Sequence, residues 1–123
     1  GLGLCHAIAH PLGARVDAVH GLALGALLPG VLRFNLPTSA KELALVARTL
    51  GVYQSSASEE RNAEAAISTL GDLVHRVLGD VSITLPDDLR PTLVQDALDD
   101  LVLTNTPRQP SAAEVEELLE VVR

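Results

Sequence analysis

The sequence predicts an all-α fold, a helical bundle of five to six helices forming one domain over residues 1–123. Three observations predict it. Hydrophobic residues make up 47% of the chain and aromatics only 2%, so the core is built from Leu, Val, Ala and Ile rather than the aromatic and β-branched mixture of a sandwich. Apolar residues recur at three- and four-residue intervals along most segments. Helix start and stop signals, two Ser-x-x-Glu boxes among them, punctuate those segments.

In chain order, Leu4, Ala7, Ile8 and Leu12 give a first helix over 2–12, with Gly13 as its stop. Pro11 disfavours the α conformation at His10, so the helix is expected to distort or end early there. A second helix starts near Asp17, read as its N-cap, and runs through "HGLALGALLPGVLRFN" with a kink at Pro29. "LPTSAKELALVARTLG" is a turn and a helix, capped by a Ser39–Glu42 box and ended by Gly51. A longer amphipathic helix follows Ser58, with Ala66, Leu70, Leu73, Val77 and Leu78 on its inward face. Gly71 inside it costs about 1 kcal/mol relative to Ala. "TLPDDLRPTLVQDALDD" is a turn and a short helix with Pro91 in the first turn, and "LTNTPRQPS" is a polar loop. The last helix is capped by a Ser111–Glu114 box and turns Val115, Leu118, Leu119 and Val122 inward. "VSITL" at 81–85 is the one strand candidate, and the weakest element of the set.

The formal net charge is −7. An acidic surface repels phosphate backbones and anionic lipid heads, which argues against nucleic-acid or membrane-surface binding. No stretch reaches the roughly 18 apolar residues that cross a bilayer. A lone cysteine, Cys5, forms no internal disulfide and fits a cytoplasmic protein. The chain opens on Gly1 in mid-pattern, which suggests an incomplete chain.

The chemistry is concentrated in "HAIAHPLGARVDAVHG", His6 to Gly21, which holds three of the four histidines. Neutral imidazole is a common ligand for Fe, Zn and Ni. On a helix His6 and His10 lie on one face about 6 Å apart, and a helix–turn–helix could return His20 to the same point. Spacing leaves all three ligand pairings open. Two imidazoles alone make an incomplete site, since such metals take three or four protein ligands, and no acidic residue of the segment supplies a third. Cys5 is read as a small buried hydrophobe rather than a thiolate ligand. His75 reads as an ordinary helix-face residue.

At "GLGLCHAIAHPLGARVDAVHG", continuing into "LALGALLPGVLRFN", and again at "LTNTPRQPSAAEVEELLEVV", the sequence resembles the iron-containing alcohol dehydrogenase family. The resemblance covers nearly the whole chain. It implies the C-terminal part of that family's all-helical, metal-binding domain, with an N-terminal dinucleotide-binding domain missing. The family holds one divalent metal, Fe2+ foremost and Zn2+ as the alternative, with one Asp and three His. Two of those histidines correspond to His6 and His20; the Asp and the third His fall in an earlier segment with no counterpart here. His10 corresponds to a residue that is not a ligand but lines the cleft near nicotinamide and substrate, which makes it the candidate catalytic and cofactor-binding residue. Val19 stands where the family often has Pro, and Gly30 follows Pro29 where a histidine is common, so no role is carried over to position 30.

The implied activity is interconversion of a small alcohol and an aldehyde or ketone, with NAD or NADP as the hydride partner and the metal as a Lewis acid. Leu4, Ile8, Leu22 and Leu24 are expected to keep the site dry. The fragment alone is expected to be inactive, and its exposed interdomain face to favour a homo-oligomer. A maleylacetate reductase of the same superfamily, or a non-catalytic helical interaction module, are the alternatives.

Overall fold

The computed structural model describes residues 2–122 and is all-helical. Five α-helices, α1 (Leu4–Val16), α2 (His20–Thr49), α3 (Glu59–Leu78), α4 (Arg90–Asp99) and α5 (Ala112–Glu120), are joined by loops and one 3-10 helix, Leu101–Asn105. The main core gathers Leu4, Ile8 and Leu12 of α1, Ala23, Leu27 and Val31 of α2, Leu93 and Ala97 of α4, and Val115 and Leu119 of α5. A smaller core, Leu43, Ala63 and Ile67, lies between the far half of α2 and α3.

The first helix outruns its predicted stop. It passes through Pro11 and Gly13 to Val16 and ends where Asp17 adopts the left-handed conformation (φ 53°), with the Ala18 N–H bonded to the Leu12 carbonyl at 3.2 Å. Asp17 is thus the C-cap of α1, not the N-cap of α2; Asp is among the few side chains that tolerate this conformation. Proline inside a helix costs about 3 kcal/mol. Burying Leu4, Ile8 and Leu12, each 0–1% exposed, offsets that at about 1.5–3 kcal/mol apiece.

Pro29 also fails to break its helix. The interruption in α2 comes instead at Ser39 (φ −132°, ψ 21°), two residues after Pro37. The predicted second and third helices therefore run on as one kinked element, without the Ser39–Glu42 box. At its end Gly51 (φ 74°) forms the expected C-terminal motif, its N–H on the Arg48 carbonyl and that of Val52 on the Ala47 carbonyl.

Ser58 caps α3 as expected, accepting the Arg61 N–H at 3.2 Å. The inward face differs from the predicted one: Ala66 is buried, but Leu73 and Val77 are exposed. Leu78 faces α2 as predicted, joined by Val74, because Gly25 there lets the helices approach so closely that a Cβ on it would lie 2.4 Å from Leu78 Cδ1.

Residues 81–86 form no strand and no helix. Ile83 and Leu85 are buried, and the Ile83 N–H donates to the Val122 carbonyl at 2.6 Å, tying this segment to the end of α5. Helix α4 begins at the predicted place, with Arg90 buried and bonded to Glu120 of α5. The 3-10 helix, which the sequence reading took for loop, is capped by Asp100. Helix α5 matches prediction, with the Ser111–Glu114 box formed and Val115, Leu118 and Leu119 buried. Ser111→Ala should lower unfolding free energy by about 1 kcal/mol, read as a shift of the urea midpoint with unchanged slope.

Candidate metal centre

The short turn at residues 17–19 reverses the chain between α1 and α2 and brings three histidines together. His6 and His10 sit one turn apart on α1, and His20 is the first residue of α2. Their ring centroids form a nearly equilateral triangle: His6–His20 at 5.6 Å, His10–His20 at 5.8 Å and His6–His10 at 5.9 Å.

Ring planes add a second test to the distances. An ion lies in the plane of each imidazole that binds it, at about 2.0–2.1 Å from nitrogen, so two rings sharing an ion have inclined planes or are coplanar, with centroids roughly 5–6 Å apart. The His6 and His20 planes are inclined at 57° and those of His6 and His10 at 69°, both within that arrangement. The His10 and His20 planes are nearly parallel, at 14°. Among the described residues, no three His, Cys, Asp or Glu side chains are placed to hold one ion together. The arrangement fits a divalent cation as half a coordination shell.

His10 is engaged differently: its Nδ1 lies 2.6 Å from Asp100 Oδ2 at the end of α4. The other oxygen of Asp100 accepts the Val102 N–H at 2.9 Å. That backbone bond, followed by the His10 contact, holds the Asp100 carboxyl below its ordinary range against the opposing effect of burial. His6 is shifted down, first by burial and then by the charges of His20 and His10, with Asp100 opposing. Its neutral form, the one that binds metal, is thereby favoured. Cys5 donates its thiol to the Leu24 carbonyl at 3.4 Å, and burial pushes its pKa up to about 11, which agrees with a neutral thiol rather than a metal-binding thiolate. His75 lies apart on α3, exposed and paired with Asp80.

The expected dry wall is incomplete. Leu4 and Ile8 lie within the core, Leu24 is half-buried, and Leu22 is 38% exposed. His10 is 40% exposed, so the cluster opens to solvent on one side. Beside His6, a cleft of about 490 Å³ is lined by Cys5, Leu24, Leu28, Asn35 and Thr106, among others. No sequence pattern pointed to Asp100, which is 90 residues from His10 and was read only as the end of a helix.

The tight helix–turn–helix thus presents three imidazoles on one face of a helical unit. The sequence model of the Fe-containing alcohol dehydrogenase family, C-terminal, matches residues 1–122, and the chain belongs to that family. Among its relatives are lactaldehyde reductase of Escherichia coli, 37% identical over 96% of this chain and 32% of that protein, and 1-propanol dehydrogenase PduQ of Salmonella typhimurium, 38% identical over 98% and 35%. The fold is also that of an alcohol dehydrogenase from Oenococcus oeni, with a TM-score of 0.90 and 27% identity over all of this chain and 33% of that one. A 1,3-propanediol oxidoreductase matches with a TM-score of 0.85 and 27% identity, over 98% of this chain and 32% of that one. The chain spans about a third of the length of the curated relatives it matches. Among the described residues, no helix is long and apolar enough to cross a membrane.

Proposed function

We propose that this chain is the metal-binding helical part of an NAD(P)-linked alcohol dehydrogenase that interconverts a small alcohol and its aldehyde or ketone. The observation that carries the proposal is the convergence of His6 and His20, inclined at 57° with centroids 5.6 Å apart, in a chain of this family. His6 and His20 would hold the divalent cation, Fe2+ in preference to Zn2+, with the remaining ligands and the dinucleotide-binding domain supplied from outside these residues. The chemistry that the cation and the dinucleotide bring when bound is Lewis-acid stabilisation of the substrate oxygen and acceptance or donation of a hydride.

Within this chain, His6 is held by α1, whose core face is buried, and His20 by the start of α2. His10, one turn from His6, lines the cleft against nicotinamide and substrate and takes the alcohol proton at Nε2 during oxidation, returning it during reduction. The open side of the cluster receives the cofactor-bearing domain. The single cysteine fits a cytoplasmic enzyme, and exposed Val19, Leu22 and Leu101 favour assembly with other protein surfaces, a further copy of the enzyme included.

The test is metal content and NAD(P)H-dependent aldehyde reduction, measured on this chain and on a form extended upstream through the dinucleotide-binding part. Activity confined to the longer form is expected; activity in neither would discard the dehydrogenase function in favour of an interaction module. In the longer form His10→Ala should keep its metal and lose turnover by about 10²–10⁴-fold, the range general acid–base groups contribute.

A further inference from the structure

We propose that Asp100 is the positioning residue of the site: it fixes His10 in the tautomer protonated at Nδ1, leaving Nε2 as the acceptor. The role in turnover rests on the dehydrogenase function proposed above; the tautomer does not.

The geometry has three parts. His10 Nδ1 and Asp100 Oδ2 are 2.6 Å apart, a short charge-assisted distance. Asp100 Oδ1 is already committed to the Val102 N–H at 2.9 Å, so the carboxylate is clamped by the first turn of the 3-10 helix and cannot rotate away without uncapping it. The Asp100 carboxylate is an acceptor only, so the proton between the two groups sits on Nδ1. A neutral ring with Nδ1 protonated carries its lone pair on Nε2. The same clamp, in a different chain segment, fixes the direction of the His10 ring relative to His6 and His20, because α1 and the 3-10 helix pack directly together.

Asp100→Asn makes this testable. The Val102 N–H only donates, so the amide oxygen must take its place opposite that group, and the amide NH2 then faces His10 Nδ1. Nδ1 becomes the acceptor and the proton moves to Nε2. The variant keeps the cap and reverses the tautomer, while Asp100→Ala removes both. An aspartate that orients the imidazole of a catalytic triad behaves comparably, its Asn variant imposing the wrong tautomer.

Long-range 15N–1H spectra of the histidine rings in this chain, recorded at about pH 9 where free imidazole is neutral, read the result. Wild type is expected to show a pyrrole-type Nδ1 and a pyridine-type Nε2 at His10, and Asp100→Asn the reverse, with an unchanged melting temperature. In the complete enzyme Asp100→Asn should lower kcat at least tenfold at unchanged metal content. A wild-type His10 protonated at Nε2, or at both nitrogens, or a tautomer unmoved by Asp100→Asn, would overturn the proposal even where metal binds. The predicted tautomer in a protein that binds no metal would leave Asp100 in place and defeat the dehydrogenase function instead.

Discussion

His20→Ala is expected to abolish metal retention and turnover together in the complete enzyme. His20 occupies the first position of α2, with no side-chain cap behind it, and the backbone of that turn is held by the Ala23 N–H on the Val19 carbonyl at 3.0 Å. Removing the imidazole therefore takes a donor from the site without loosening the helix that carries it. Loss of a group that only supports a ligand costs about 10–100-fold in metal affinity or activity, and loss of a ligand should exceed that. Metal analysis after dialysis should give under a tenth of wild-type content, with no aldehyde reduction above background. His6→Ala should behave alike in metal content. His20→Ala should match wild type in circular dichroism and in unfolding free energy within about 0.5 kcal/mol, the usual range for exposed sites. Unchanged metal in His20→Ala would remove it from the ligand set, and the pairing with His6 with it.

The parts of this molecule that could be read in the sequence are those set by neighbours within a turn or two. Helix α5 is one: Ser111 and Glu114 bond one another's backbone, and Val115, Leu118 and Leu119 follow at helical spacing. The C-terminal motif at Gly51 is another, since only the residue at that point needs a positive φ. Boundaries set by tertiary burial were misread. Pro11 and Gly13 carry the local signature of a helix end, yet α1 continues past Leu12, which is buried in the core, to Val16, which packs half-buried against it. On α3 the residues at 73, 74, 77 and 78 offer two adjacent apolar stripes, and the choice between them is made by Gly25 on another helix.

The site divides along the same line. The three histidines announced themselves by composition and spacing, and the turn that gathers them follows from two helices joined by three residues. Spacing did not rank the pairs, and the resemblance to a family supplied His6 with His20. Asp100 lay beyond reach for a different reason. Its partner is at the other end of the chain, and "DALDDL" offers three acidic residues, Asp96, Asp99 and Asp100, of which only the fold brings one to His10.

Asn62→Leu is expected to be among the most destabilising single changes outside the apolar core. Asn62 is 2% exposed, a polar side chain on the inward face of α3 that hydropathy alone would place outside. Its Oδ1 accepts the Gln54 N–H at 2.7 Å, and its Nδ2 donates to the carbonyls of Gln54 at 2.9 Å and Ser58 at 3.1 Å, with Ala57 at 3.4 Å. One amide thus closes the loop from α2 to α3 in place of water. Leucine keeps the volume and removes every one of these bonds. A stranded buried group costs about 1–3 kcal/mol; since Gln54 is exposed and can recover part of its loss in water, the net should be about 2–4 kcal/mol, or roughly 10 °C in Tm. Asn62→Asp separates this from a simple packing effect. Its oxygen can still accept from Gln54, but the ionised carboxylate would face carbonyl oxygens where Nδ2 donated. That raises its folded pKa above the unfolded value near 3.9, so stability is retained below that pH and lost as pH rises through the folded pKa. Urea unfolding of Asn62→Asp should therefore show a smaller deficit against wild type at about pH 4 than at pH 7. An equal deficit at both would mean that the loop opens to water, and that Asn62 fills space rather than bonding the turn.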